Sequence, residues 1–189
     1  KTYNLIPKKP IIALLPGSRL QEIKKVLPVF ISITNMFKSY QFVIGGVESI
    51  DKEKYDKLTK NKNVKVVFNQ TYNLLANAKA AIVTSGTASL EAAIFKIPQV
   101  VCYKTSFITY LIGKMLVNIK YISLVNLILN NKIVDELVQG KLNSNNLKNS
   151  INKILKKDNR LEMINAYNNL INMLYAESPS RKTAELIVR

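Results

Sequence analysis

The stretch AAIVTSGTASLE at residues 80–91 joins a short apolar run to a turn rich in glycine and hydroxyl groups, and a helical pattern begins directly after that turn. The apolar run is typical of a buried strand, and the turn residues are of the kind that end strands and begin helices. A second stretch of the same form, IIALLPGSR at residues 11–19, lies near the beginning of the chain. Repeated strand–turn–helix units predict parallel strands joined by crossover helices.

The rest of the chain continues this alternation. We predict five strands, at residues 11–15, 41–45, 64–68, 80–84 and 99–103. We predict helices between the strands and a helical C-terminal segment, at residues 20–39, 48–60, 72–77, 86–95, 107–118, 123–130, 133–139, 144–156, 160–176 and 179–188. The expected fold class is therefore α/β, a doubly wound, Rossmann-like parallel sheet, with a linker at residues 1–10 and one domain at 11–189. With the common strand order 3-2-1-4-5, the chain reverses direction between the first and fourth strands, which is where such sheets bind ligands.

Composition narrows the classes of function. The chain has 189 residues, 48% of them hydrophobic, which suits one packed domain. It has one cysteine, Cys102, and no histidine, so an internal disulfide is excluded and neither a metal site nor a cofactor is predicted. The net charge of +16 is open to two interpretations: an anionic partner, or the lysine- and asparagine-rich composition of an AT-rich genome. No nucleic-acid-binding motif is present, and nucleic acid is not predicted as a partner.

The first turn has residues suited to a phosphate. Pro16 ends the strand, and Gly17 lets the backbone turn tightly and approach a ligand. We predict that Ser18 caps the following helix and that Arg19 presents its planar guanidinium to a phosphate. The alternative is an ordinary strand–turn–helix connection with a surface arginine.

The second turn has the features of an anion site at a helix N-terminus. Ser85, Gly86 and Thr87 precede a helix whose first amides have no partner within the helix and attract an anion. Glu91 follows one helical turn later, where it can accept hydrogen bonds from ribose hydroxyls. An ordinary N-cap is the alternative. Neither turn has the G-x-G-x-x-G or the Walker A pattern, which disfavours NAD, FAD and an ATPase.

Four motifs carry a resemblance to a known family. They are PGSR..E at residues 16–22, SGTASLEA at 85–92, P.VV.YK at 98–104 and Y.SL.N at 121–126, the last followed by Val134 and Glu136-Leu137. Together they resemble lipid-A-disaccharide synthase, in order and spacing, over almost the whole chain. The resemblance is to the C-terminal half of that family only. The PGSR motif alone, or SGT with its glutamate alone, would also fit other UDP-sugar enzymes.

The resemblance implies one half of a GT-B fold and an inverting glycosyltransferase, specifically a hexosyltransferase. Such an enzyme joins UDP-2,3-diacylglucosamine to 2,3-diacylglucosamine-1-phosphate and releases UDP and lipid A disaccharide 1-phosphate. The resemblance implies that Arg19 contacts the UDP diphosphate, with Gly17 and Ser18 shaping the turn. It also implies that Ser85, Gly86 and Thr87 cradle phosphate. Glu91 would hold the ribose, and Asn126 would lie near the donor.

Two positions depart from the pattern of the family. Val125 stands before Asn126, and Asp135 stands before Glu136, where members of the family often have proline. Both differences concern the rigidity of a loop more than the chemistry of the site.

No catalytic residue is predicted in this chain, because the acceptor site and the proposed base of the family belong to an N-terminal domain that has no counterpart here. We expect the chain to bind UDP or a UDP-sugar without turning it over. The expected location is cytoplasmic, and peripheral contact with the inner membrane of a Gram-negative-type bacterium is a further hypothesis. Residues 104–120 place apolar and aromatic residues between lysines, which fits either an interfacial membrane segment or a helix packed on the sheet.

Two other functions stay open. One is another UDP-GlcNAc enzyme of GT-B type, such as a MurG-like transferase. A UDP-GlcNAc 2-epimerase is disfavoured, because it would be expected to use histidine. The other is a basic module that binds nucleic acid or another anion, with a steep salt dependence and no preference for UDP.

Overall fold

The computed structural model describes residues 5–60, 62–84, 86–104 and 120–176. Within these ranges six strands form one sheet: β1 (Ile11–Leu15), β2 (Gln41–Gly46), β3 (Val64–Phe68), β4 (Ala78–Thr84), β5 (Gln99–Tyr103) and β6 (Asp135–Val138). Their order is β3-β2-β1-β4-β5-β6, and every neighbouring pair is parallel. The predicted α/β class with a doubly wound parallel sheet is confirmed.

Helices connect the strands and follow the last of them. The described part of the chain contains α1 (Leu20–Ser32), α2 (Lys52–Thr59), α3 (Thr71–Ala76), α4 (Thr87–Ile94), α5 (Leu124–Ile128), α6 (Ser144–Leu155) and α7 (Lys157–Ala176). Short 3-10 turns occur at Thr34–Met36 and Gln139–Lys141. The first helix therefore ends earlier than predicted, and the helices predicted at 107–118 and 179–188 lie outside the described residues.

The core lies on both faces of the central strands. Ile12, Leu14, Ile82 and Val83 are all completely buried, although successive side chains of a strand point to opposite faces. Parallel sheets bury both faces under helices, so their central strands are continuously apolar rather than alternating. This pattern is the reason that the apolar runs of the sequence predict strands at these positions.

A sixth strand, β6 at Asp135–Val138, lies within residues 133–139, so the prediction of a helix there is wrong. β6 pairs with β5 from Val100–Asp135 to Tyr103–Val138. Leu137 is the buried residue within β6, and Val134, directly before the strand, is also buried. The free edge of β5 supplies backbone hydrogen bonds along the segment, and this tertiary pairing overrides the helical spacing of its apolar residues.

A buried polar bridge joins α4 to α7 through the first residue of β5. Gln99 Nε2 donates to the carbonyl of Ser89 at 2.8 Å and to the hydroxyl of Tyr167 at 3.2 Å. The backbone N of Gln99 lies 3.4 Å from Met163 Sδ. All four residues are buried, so these hydrogen bonds fix α7 against the side of α4 that faces the core.

Candidate functional site

The candidate site lies at the carboxyl ends of β1 and β4, from which the chain leaves in opposite directions. After β1 the chain crosses to β2, and after β4 it crosses to β5 on the other side. The loops that follow these strands therefore diverge and leave a crevice. Gly17 and Thr84 meet there, because a Cβ on Gly17 would lie 3.8 Å from both Cβ and Cγ2 of Thr84. The structure thus brings the two predicted turns to one place.

The first turn is shaped by Gly17. Gly17 has a φ of +97°, and a Cβ at this position would lie only 2.9 Å from Oε2 of Glu22. The N-cap of α1 is Arg19, and its carbonyl accepts hydrogen bonds from the backbone N of Glu22 and of Ile23, each at 3.0 Å. The prediction that Ser18 caps this helix is wrong, because the chain enters the helix one residue later, and Ser18 is exposed.

The guanidinium of Arg19 is available to an anion. Its side chain is 82% exposed, and Nη1 lies 3.3 Å from Oε1 of Glu22. An exposed ion pair of this kind contributes ~0–1 kcal/mol. A charge-assisted hydrogen bond to phosphate contributes ~1.5–3 kcal/mol. The contact with Glu22 therefore holds the Arg19 guanidinium only weakly.

The second turn leads into α4, and the space beside its glycine is open. Gly86, the N-cap, has φ +116° and ψ −151°, a region that essentially only glycine adopts. Apart from the adjoining residues, none of the residues that the structure describes has an atom within 4 Å of the point where a Cβ of Gly86 would be. The Gly86 carbonyl accepts hydrogen bonds from the backbone N of Ser89 at 3.2 Å and from its Oγ at 2.9 Å. The amides of Thr87 and Ala88, which precede Ser89, have no carbonyl four residues back within the helix, so the open space suits an anion. Ser85 lies outside the described residues.

A groove of about 470 Å³ lies between α4 and the loop that joins β3 to α3. It is lined by Glu91 and by residues 69–73. Tyr72, in the first turn of α3, is 61% exposed, and its ring stacks on Phe95 with a centroid separation of 5.7 Å and an interplanar angle of 24°. Residues 69–73 are not among the predicted site residues. The available signal was the polar run directly after the third strand, since all parallel strands end at the same edge of the sheet.

Every hydrogen-bonding position of the Asn126 side chain is occupied by a partner within the protein. Nδ2 donates to the Val134 carbonyl and to Oε1 of Glu136, both at 2.9 Å. Oδ1 accepts from the backbone N of Ile133 at 2.8 Å and of Val134 at 2.9 Å. A primary amide has two donors and two acceptor positions, so this buried residue has none left for a ligand in the arrangement observed. The structure therefore gives Asn126 a positioning role, unlike the donor contact that the resemblance implies.

The carboxylate of Glu136 anchors the segment that precedes α5. It accepts hydrogen bonds from the backbone N of Ile122 and of Ser123, each at 2.9 Å, and from Ser123 Oγ at 2.8 Å. Ser123 Oγ also caps α5 by accepting from the backbone N of Asn126 at 3.2 Å. These bonds join β6 to the Y.SL.N motif, and the sequence analysis did not predict this partnership.

Within residues 5–60, 62–84, 86–104 and 120–176, no group of three or more potential metal ligands comes together. None of the helices in these ranges is both long and apolar enough to cross a membrane.

The site can now be compared with those of known proteins. A sequence model of the lipid-A-disaccharide synthetase family matches residues 1–188. The chain belongs to the lipid-A-disaccharide synthase family. The lipid-A-disaccharide synthase of Psychromonas ingrahamii is 33% identical over 186 residues, which cover 94% of this chain and 48% of that protein. The lipid-A-disaccharide synthase of a Sulfurihydrogenibium species is 39% identical over 172 residues, which cover 82% of this chain and 44% of that protein. The chain thus spans about half the length of these curated relatives.

Solved structures share the fold of this member of the lipid-A-disaccharide synthase family. The ADP-heptose heptosyltransferase II of E. coli matches with a TM-score of 0.58 and 15% identity, over 82% of this chain and 49% of that one. The glycosyltransferase of kitacinnamycin matches with a TM-score of 0.64 and 14% identity, over 98% and 44% of the two chains. The UDP-GlcNAc 2-epimerase of Neisseria meningitidis, solved with UDP-GlcNAc, has a TM-score of 0.54 and 15% identity, over 91% and 46%. At these identities the likeness concerns the fold.

Proposed function

We propose that this chain is the donor-binding half of an inverting glycosyltransferase that forms lipid A disaccharide 1-phosphate. The donor would be UDP-2,3-diacylglucosamine, the acceptor 2,3-diacylglucosamine-1-phosphate, and the leaving group UDP. The observation that carries this proposal is the contact of the Gly17 turn with Thr84, two residues before Gly86, in the crevice between β1 and β4. Membership of the lipid-A-disaccharide synthase family supports the choice of donor.

The diphosphate would lie between the Gly17 turn, with Ser18 shaping it, and the first turn of α4. There it would receive the guanidinium of Arg19 and hydrogen bonds from Ser85 and Thr87. Negative charge develops on the diphosphate as UDP leaves, and donors already aimed at that position stabilise it without reorganising. The same groups that bind the donor would therefore also lower the barrier to transfer.

The nucleoside would lie on the α3 side of the diphosphate. Glu91 would accept hydrogen bonds from ribose hydroxyls, because a carboxylate beside the diphosphate itself would be repelled. The uracil would continue along the groove lined by residues 69–73. Asn126 would act indirectly, by holding the segment before β6 in place.

This half is proposed to supply no acid–base group for the transfer. An inverting transfer needs a base beside the acceptor hydroxyl. We assign the base and the acceptor site to the part of the enzyme that corresponds to the other half of the relatives' length. The 189-residue chain is therefore expected to bind the nucleotide and not to turn it over.

Calorimetric titration with UDP and with uridine tests the proposal. Arg19→Ala is expected to weaken UDP binding by ~10–100-fold, since it removes a charge-assisted contact with phosphate. Uridine has no phosphate, so its affinity should not change. Lys148→Ala, which removes an exposed cation from α6, is the matched control and should bind both ligands as the wild type does.

Two results would contradict this reading. One is the absence of UDP binding both by this chain and by the chain joined to the remaining half of the enzyme. The other is binding to polynucleotides that falls steeply with salt, without any preference for UDP, which a basic anion-binding module would show.

Because both proposed substrates are lipids, we also propose that the enzyme works at the cytoplasmic surface of the inner membrane. Residues 104–120 carry lysines among apolar residues, and most of this segment lies outside the described residues. A lysine near an anionic surface contributes ~1 kcal/mol to binding. Co-sedimentation with anionic lipid vesicles at low salt is expected, and its absence would favour a helix packed on the sheet.

A further inference from the structure

Thr84, the last residue of β4, has a buried hydroxyl that lacks a hydrogen-bond partner. The residue is 3% exposed, and within the described part of the chain Oγ1 has neither a donor nor an acceptor in reach. A hydroxyl buried in this way is less favourable than the methyl group of a valine of the same shape. The hydrogen bonds of the described residues therefore do not explain a threonine at this position.

The position of Thr84 suggests that explanation. Thr84 pairs with Cys102 of β5, and its Cβ and Cγ2 lie 3.8 Å from the point where a Cβ of Gly17 would be. Gly86 follows two residues later, and the space beside it is open. Thr84 thus lies beneath the crevice, between the two turns that are suited to an anion.

We propose that Thr84 is a donor-binding residue, whose hydroxyl donates a hydrogen bond to the diphosphate of a nucleotide bound between Gly17 and Gly86. This inference rests on the proposed function and adds a residue to its site. A rotation of about 120° around χ1, from one staggered position to the next, places Oγ1 where Cγ2 now lies, beside Gly17. A hydroxyl without a partner in the free protein then gains a negatively charged acceptor in the complex.

Two variants separate this role from a structural one. Thr84→Val keeps the shape of the side chain and removes the hydroxyl, whereas Thr84→Ser keeps the hydroxyl. Each variant is titrated with UDP and with uridine, and each is unfolded thermally without nucleotide. We expect Thr84→Val to bind UDP ~3–30-fold more weakly and uridine unchanged, because only the diphosphate contact is lost.

The free Thr84→Val protein should have a Tm equal to or above that of the wild type, because the substitution removes an unpaired polar group. Loss of affinity without loss of stability is a combination that a purely structural hydroxyl would not give. Thr84→Ser should retain UDP affinity within ~3-fold of the wild type, since its hydroxyl can still donate.

The outcomes also separate this inference from the function on which it rests. Wild-type binding of UDP with an unchanged affinity in Thr84→Val would overturn the role of Thr84 and leave the proposed function standing. Equal weakening of UDP and uridine, together with a lower Tm, would show that the hydroxyl is structural. Failure of the wild type to bind UDP, both as this chain and joined to the remaining half of the enzyme, would overturn both.

Discussion

Replacing Asn126 by leucine should destabilise the fold more than any surface substitution in this chain. Leucine has a similar size and no hydrogen-bonding group. The substitution would leave the backbone N of Ile133, and the backbone N and carbonyl of Val134, without their present partners. Glu136 would lose one of the four hydrogen bonds that its carboxylate accepts.

The size of the effect follows from the burial of these groups. Val134 and Asn126 are completely buried, so water cannot replace the lost partners. Each buried polar group left unsatisfied costs ~1–3 kcal/mol. Since neighbouring losses are not additive, we expect a total of ~3–5 kcal/mol, a large part of the ~5–15 kcal/mol that stabilises a typical domain.

Urea denaturation of the 189-residue chain measures this free energy of unfolding directly. The matched control is Asn149→Leu, at an exposed position of α6, which should change stability by ~0.5 kcal/mol or less. A loss below about 1 kcal/mol for Asn126→Leu would refute the positioning role. If such a stable variant also bound UDP more than ~10-fold more weakly, Asn126 would instead be a donor contact, as the resemblance implies.

Two further predictions concern the second turn and the core. Gly86→Ala should cost ~1–3 kcal/mol of stability, because alanine is strained in this backbone region, and should weaken UDP binding by ~10-fold or more. Gly140→Ala is the control, because the added Cβ would also enter open space but the backbone there does not have a positive φ. Equal losses of stability and of UDP affinity in the two variants would contradict the role of Gly86. Burial raises the pKa of the Cys102 thiol above its ordinary value of 9.0. Burial also raises the pKa of the Tyr167 hydroxyl above its ordinary value of 10.0, and hydrogen bonds with Gln99 oppose this shift more weakly. As pH rises, both groups lose their protons at a lower pH in the unfolded chain than in the folded protein. The free energy of unfolding is therefore unaffected below these ordinary pKa values and falls above them, by up to ~1.4 kcal/mol per pH unit for each group. Unfolding experiments between about pH 7 and 11 should show this decline, with a smaller slope in Tyr167→Phe, and a flat profile would exclude it.

The central strands could be predicted because their signal is local. Apolar runs that end at proline, glycine or threonine identify β1 and β4, and the order of these runs implies the crevice between them. The sixth strand could not be predicted in the same way. β6 contains Asp135 and Glu136, and it exists because β5 offers a free edge for it to pair with.

The turns of the site were predictable in position and less so in detail. The meeting of Gly17 with the end of β4 follows from the strand order. The choice of Arg19 rather than Ser18 as N-cap depends on backbone angles that residue types do not determine. The bonds of Asn126 depend on where residues seven to ten positions later return to it, which motif spacing alone does not reveal.

The bridge made by Gln99 has a thermodynamic consequence for the whole domain. Gln99 ties Ser89, in the first turn of α4, to Tyr167 in the middle of α7. A ligand that orders the first turn of α4 would therefore restrain α7 as well, although α7 would not contact that ligand. Amide hydrogens of α7 around Tyr167 should exchange with solvent more slowly when nucleotide is bound, because opening of α7 would then also disturb the ligand's own contacts. Helix α7 thus becomes a reporter of occupancy at a site that it does not touch.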